Sequence, residues 1–205
     1  MIEAFEITKS FGSKKVINKF TTKINDGDFI SIVGNSGSGK TTLLNLLGLI
    51  ETPDYGEISI DGIKNPNKKQ KMLLRRNLLG YIFQNYALVE NDTVESNLKI
   101  ALEYINSINK LEEIRDALDY VNLSGFEKKK IYELSGGEQQ RVAIARVILK
   151  KCKYIFADEP TGNLDKENSD IIFKLLKQLN KNGCTIIYVT HDIALANSAN
   201  WIITL

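Results

Sequence analysis

The residues best equipped for chemistry lie together at Gly34-Asn35-Ser36-Gly37-Ser38-Gly39-Lys40-Thr41, a stretch that fits the pattern GxxxxGK[ST]. The glycines remove side chains, so consecutive backbone N–H groups can close around a phosphate. The start of a following helix adds unpaired donors and the positive end of its dipole. Lys40 is placed to reach the β- and γ-phosphates of a nucleotide. The Thr41 hydroxyl suits Mg2+, a hard ion that keeps several waters and prefers phosphate oxygens. Thr42 completes the candidate loop at the helix start. A turn that merely joins a strand to a helix would explain the glycines, but no turn requires the Lys-Thr pair.

Such a loop implies a nucleotide and Mg2+ but not their fate, and four other places in the chain bear on that. The apolar run Tyr154 to Ala157 leads straight into Asp158, which puts a carboxylate at the carboxyl end of a buried strand, where open α/β sheets bind ligands. Asp158 suits a Mg2+ ligand, and Glu159 beside it could orient or deprotonate a water for attack on the γ-phosphorus. A plainer reading is two solvated acids at a strand end, which the upstream loop disfavours. His191, the only histidine, follows the apolar run Thr185 to Val189 and should emerge at the same sheet edge, within reach of a γ-phosphate, although a lone His is usually structural. Gln84 likewise ends a strand and offers an amide to Mg2+ or to water; an ordinary strand-end Gln would look the same. Finally, Ser135-Gly136-Gly137-Glu138 places a cap residue and two glycines at a helix start, a second anion site. One chain with two such sites and one nucleotide loop points to a second site that serves another molecule's nucleotide.

These residues need a sheet to hold them. Residues 2 to 8 and 20 to 24 read as strands in which Phe5 and Ile7, then Phe20 and Ile24, alternate with polar neighbours. Phe11, beside Gly12, is either a hairpin tip or a stacking platform for a flat base. Phe29 to Val33 is a buried strand, and Leu43, Leu44, Leu46 and Leu47 recur at helical spacing. Pro53 to Gly56 is a turn before a strand at 57 to 60, and the lysine-rich 64 to 71 piece leads into a short helix ending near Arg76. Leu79 to Phe83 is a strand, 93 to 122 a helical insertion, and 135 to 149 and 166 to 181 are helices. Strands at 154 to 157, 185 to 189 and 201 to 205 complete a mostly parallel sheet covered on both faces, an α/β fold.

At 205 residues and 43% hydrophobic content, the chain can bury a full core as one unit. A formal net charge of +2, with short Lys runs at 68 to 71 and 128 to 130 lacking interleaved aromatics, argues for solvated faces and against a nucleic-acid groove. Cys152 and Cys184 are isolated, as in a reduced cytosolic protein. No apolar run approaches the roughly 18 residues needed to span a bilayer, and MIEAFEITKS lacks the basic-then-apolar pattern of a signal peptide, so a soluble chain inside the cell is expected.

Taken together, the chain resembles an ATP-binding cassette (ABC) ATPase over essentially its whole length. GNSGSGKTT is similar to the family's Walker A, Gln84 to its Q-loop and LSGGEQQR at 134 to 141 to its signature. YIFADE at 154 to 159 is similar to Walker B with the catalytic Glu, and His191 to the switch histidine. The resemblance implies a phosphate-loop α/β core with an antiparallel β subdomain (1 to 84 and 138 to 205) and an inserted helical subdomain (about 85 to 137). It implies a Mg2+-dependent ATPase, with Phe11 where relatives stack adenine on Tyr. It also implies a homodimer that sandwiches two ATPs between the Walker A of one chain and the LSGGE of the other, with TGNLD at 161 to 165 as the D-loop. The expected partner is an integral membrane permease, with the chain peripheral on the inner face of the cell membrane and no nucleic acid bound. TGNLD resembles the lipoprotein-release and macrolide-export subgroup, and GYIFQNYALVENDTVESNL resembles bacteriocin-export ATPases of the lactococcin 972 type. The competing class is a soluble ABC ATPase of DNA repair or translation. No heptad run between Lys40 and Leu134 supports the former, and no second cassette supports the latter.

Overall fold

The computed structural model describes residues 1–105 and 108–205. Strand β1 (Ile2–Phe11) and β2 (Lys14–Ile24) form a hairpin; β3 (Phe29–Val33) then enters the phosphate loop, and helix α1 (Lys40–Leu47) leaves it. The chain continues through β4 (Tyr55–Ile60), β5 (Ile63–Lys64), α2 (Lys68–Asn77) and β6 (Leu79–Ile82). Next come α3 (Val94–Lys99), a 3-10 turn at Ile100–Leu102, α4 (Lys110–Tyr120) and α5 (Gly136–Leu149). It closes with β7 (Tyr154–Asp158), α6 (Lys166–Lys181), β8 (Thr185–Val189), α7 (Ile193–Ala196) and β9 (Trp201–Thr204).

Two sheets result. One is antiparallel, in the order β2-β1-β4-β5; the other is parallel, in the order β6-β7-β8-β3-β9. The central strands of the parallel sheet are buried along their length, because α-helical crossovers cover one face and the antiparallel sheet with α1 covers the other. Successive residues therefore serve opposite cores. Ile186 and Tyr188 join the helices of the insertion, α5 and α6, whereas Ile187 and Val189 join α1 and the antiparallel sheet.

Helix α1 shows which force holds the site. Leu43, Leu44, Leu46 and Leu47 are all buried. At about 1.5–3 kcal/mol per side chain they supply on the order of 6–12 kcal/mol. That outweighs the roughly 1 kcal/mol forgone by starting without a side-chain cap.

Several local readings need correction. Phe5 and Ile7 do not share a face: Ile7 is fully buried while Phe5 is 60% exposed. A register shift between Ala4 and Ile7, with Glu6 at φ +46°, inserts an extra residue and reverses the alternation. Bulges also let both hairpin strands run on past their expected ends, to Phe11 and back to Lys14, and β4 begins within the expected turn, at Tyr55. The helical run expected over 93 to 122 is broken by the 3-10 turn; Asn106 and Ser107 lie outside the described residues. Helix α2 begins inside the lysine-rich piece, at Lys68, where Asn67 and Gln70, spaced as a capping box, cap each other's backbone N–H.

Candidate nucleotide and hydrolysis site

The phosphate loop joins β3 to α1 through a backbone that side chains would disturb. Gly39 has φ +104°, and a Cβ there would lie 2.7 Å from Cγ1 of Val16 on β2, so the loop packs directly on the hairpin that carries Phe11. Phe11 ends β1 opposite Lys14, with its ring 53% exposed and the Lys9 ammonium 5.5 Å from the ring centroid. Inside the loop, Ser38 N–H donates to the Asn35 carbonyl (3.2 Å), Ser36 and Gly37 stand exposed, and Thr42 is half-buried.

The electrostatics of the loop call for an anion. Lys40 is only 6% exposed, and its Nζ donates to the Gly34 and Asn35 carbonyls, each at 3.0 Å. Carbonyls hydrate that charge without neutralising it. The first turns of α2, α3, α4, α5 and α6 are capped by Asn67, Thr93, Asn109, Ser135 and Asp165, but no side chain caps α1. The Ser38 hydroxyl is buried within the loop and has no hydrogen-bond partner among the described residues. An orphaned hydroxyl, uncapped helix donors and an unneutralised ammonium together fit a polyphosphate.

Four adjacent parallel strands deliver the remaining residues to one sheet edge. Gln84 lies two residues beyond β6, Asp158 ends β7, His191 lies two residues beyond β8, and the phosphate loop follows β3. Thr41 Oγ1 donates to Asp158 Oδ1 at 3.1 Å. Burial raises the Asp158 carboxyl above its ordinary pKa; the Thr41 hydrogen bond opposes this and the Glu159 charge adds to it. No group of three or more His, Cys, Asp or Glu side chains suited to a metal occurs among the described residues. The Thr41 hydroxyl and the Asp158 carboxylate are hard oxygens that suit Mg2+ completed by phosphate and water. Next door, Glu159 has φ +45°, a left-handed conformation costing on the order of 1 kcal/mol for a non-glycine residue. Its N–H is anchored on the Val189 carbonyl (3.2 Å), and its Oε1 lies 2.5 Å from Nε2 of His191. The amide of Gln84 donates to Asn163 Oδ1 at 3.4 Å.

The Ser135 turn opens α5. Ser135 and Glu138 form a reciprocal capping box, with Ser135 N–H donating to Glu138 Oε2 (2.7 Å) and Glu138 N–H to Ser135 Oγ (3.3 Å). Burial alone would raise the Glu138 carboxyl; the Ser135 hydrogen bonds and the Lys129 and Arg141 charges together hold it below its ordinary value. A Cβ on Gly136 would lie 2.8 Å from the Tyr86 hydroxyl, and one on Gly137 would lie 2.3 Å from Asn168 Oδ1, so both glycines admit neighbours from their own chain.

A sequence profile described as "ABC transporter" matches residues 17–162. The lipoprotein-releasing system ATP-binding protein LolD of Bacteroides fragilis is 41% identical over 201 residues, covering 96% of this chain and 93% of LolD. The chain belongs to the ABC transporter family. The macrolide export ATP-binding/permease protein MacB of Mannheimia succiniciproducens is 39% identical over 99% of this cassette, which spans 33% of MacB; the cassette thus covers about a third of the length of the macrolide exporters it matches. Among solved structures, the dimeric cassette MJ0796 superposes with a TM-score of 0.91 at 35% identity, covering 100% of this chain and 94% of that one; a further structure shows MJ0796 bound to ADP and Pi. No helix among the described residues of the cassette is long and apolar enough to cross a membrane.

Supporting residues of the cassette escaped the sequence reading. Gln140, 1% exposed on α5, donates to the Pro160 carbonyl (2.7 Å) and ties the Ser135 helix to the turn after Glu159. Arg146 Nη1 and Nη2 donate to the carbonyls of Ala87 and Tyr86 (2.5 and 3.0 Å), two consecutive left-handed residues just past Gln84. The only available signal was polar side chains within the apolar stripe of α5.

Proposed function

We propose that this cassette binds and hydrolyses ATP, as ATP plus water to ADP plus phosphate, and energises a membrane transporter. The observation that carries the reading is the convergence of the phosphate loop, Asp158, Glu159, His191 and Gln84 at the carboxyl ends of four adjacent strands. Residues Gly34 to Thr42 hold the phosphates, and Phe11 stacks the base. Thr41 and Asp158, with Gln84 beside them, would hold Mg2+, which supplies charge neutralisation at the phosphates when bound. Glu159 takes the proton of the attacking water, and its strained backbone aims it there. His191 steadies Glu159 through their direct contact and meets the γ-phosphate.

The nucleotide site is completed by a second copy in head-to-tail arrangement. Ser135, Gly136 and Gly137 of one chain face the phosphates bound by the other, and the Glu138 capping box holds that turn in shape; the dimeric form of MJ0796 supports this. The division into a core with β subdomain (1 to 84 and 138 to 205) and a helical subdomain (about 85 to 137) belongs to the same reading. A cleft of about 700 Å3 between α2, the 3-10 turn and α5, with Tyr81, Phe83 and Ile100 in its walls, receives a segment of the membrane partner. The cassette therefore works peripherally on the inner face of the membrane. The cargo is a bacteriocin or other peptide or lipophilic molecule; the likeness of residues 80 to 98 to bacteriocin-export ATPases supports it, as do relatives named for macrolide export and lipoprotein release.

The test is to tag the Glu159→Gln form in its native cells, solubilise the membranes gently and identify what co-purifies. An integral membrane protein is expected. Ribosomal or DNA-repair proteins without one would overturn the transport reading and leave the ATP chemistry standing.

A further inference from the structure

The cleft proposed to receive the membrane partner has a one-sided charge. Arg75 and Arg76 at the end of α2 and Arg146, Lys150 and Lys151 on or just after α5 line it, and among the described residues no Asp or Glu does. Lys151 has Glu113 at 3.9 Å, but none of the ion pairs among the described residues uses the other four. Among the described residues, Arg146 and Lys150 donate only to backbone carbonyls, of Tyr86 and Ala87 and of Arg75 and Leu79. Carbonyls satisfy the donors and leave the charges in place.

Arg76 is held for recognition. Its guanidinium carbon lies 3.6 Å from the centroid of the Tyr104 ring, so the cation sits over an aromatic face in the lining of the cleft. A guanidinium presents its N–H donors in a planar fork that matches a carboxylate, and a ring over its carbon does not remove that charge. The exposed apolar side chains of Met72, Ile100 and Tyr104 stand at the same cleft.

From this we infer that the occupant of the cleft is an acidic amphipathic segment of the membrane partner, which seats an aliphatic or aromatic anchor against Ile100 and Tyr104 and presents carboxylates to Arg75 and Arg76. The inference rests on the transport reading above and adds the chemistry of the partner. Like-charge juxtaposition would exclude basic segments from the same cleft.

The test uses the full chain, tagged in its native cells, and measures the membrane protein recovered per cassette. Arg75→Glu/Arg76→Glu is expected to lower recovery at least about tenfold and Arg75→Lys/Arg76→Lys to lower it only a few-fold, since charge is kept and the fork lost. Ile100→Asn should also lower recovery. Melting temperatures matching the wild type would show that the variants fold, and wild-type recovery should fall between about 50 and 300 mM salt, as screening requires. Loss on Ile100→Asn with full recovery on charge reversal would overturn the acidic partner while keeping the cleft as the docking site. Full recovery in both would overturn the cleft itself, with the membrane protein still captured. If reversal instead abolished binding to phosphatidylglycerol vesicles and left recovery unchanged, the cations would serve a lipid surface and the proposal would fall.

Discussion

Gly137→Ala tests whether the second glycine of the Ser135 turn is required by its own chain. A Cβ at this position would lie 2.3 Å from Oδ1, 2.5 Å from Cγ and 3.0 Å from Cβ of Asn168, so the Asn168 side chain must swing away. Doing so breaks its bonds to both Asp165 oxygens (3.1 and 3.0 Å) and the bond it accepts from Arg141 Nη1 (3.2 Å). Because Arg141 Nε is already buried without a partner, the guanidinium would lose its one hydrogen-bonded anchor among the described residues. Counting the Asp165 and Arg141 links at about 0.5–1.5 kcal/mol each gives a loss of about 1–3 kcal/mol. Replacing Gly by Ala in a helix returns at most about 1 kcal/mol. At the middle of that range, about 2 kcal/mol lost, the net is a destabilisation of at least about 1 kcal/mol, and a chain of this size should melt at least about 2–4 °C lower. Thermal unfolding without nucleotide reads this directly. Asn168→Gly, which also removes the Cβ at 3.0 Å, should erase the penalty in a double-mutant cycle. An unchanged or raised melting temperature for Gly137→Ala, or a penalty that persists in the Asn168→Gly background, would refute the packing argument.

Three further outcomes are expected. Glu159→Gln should slow turnover by about 10²–10⁴ while keeping nucleotide affinity, and should run as a dimer on sizing in MgATP; a monomer would count against the sandwich. Asp158→Asn should raise the melting temperature of the nucleotide-free chain, because burial holds this carboxyl above its ordinary pKa and its ionised form therefore costs stability above that range. That gain should shrink as the pH falls and the wild-type carboxyl becomes protonated, and a gain independent of pH would contradict the assignment. Arg146→Met should cost about 2–4 kcal/mol in urea unfolding by releasing the carbonyls of Tyr86 and Ala87, and limited proteolysis should then cut near residue 87; wild-type resistance would show that the loop holds itself.

The residues placed at the sheet edge were legible because their positions are local consequences of sequence. A buried apolar run that stops at a polar residue marks a strand's carboxyl end, and parallel strands bring such ends together whatever their separation in the chain. Thus Asp158 after Tyr154–Ala157 and His191 beyond Thr185–Val189 could be assigned to one edge, along with the parallel sheet itself. What holds that edge in shape was not legible, since each support depends on a partner brought in by the fold. Gln140 looks like a surface residue on a helix until the Pro160 carbonyl, 20 positions away, arrives to bury it. Arg146 looks like a solvated charge until the left-handed pair Tyr86–Ala87 turns two carbonyls toward it. Phe5 reads as core because alternation is the only local guide, and a bulge at Glu6 depends on where Thr21 offers its hydroxyl to the Glu6 N–H (2.9 Å). Phe11 shows the same limit: the hairpin end and an exposed aromatic ring are one position, and the packing of Gly39 on Val16 brings that hairpin against the phosphate loop. The chemistry of this cassette is thus written in short segments, whereas the precision with which it is held is written in pairs that no short segment contains.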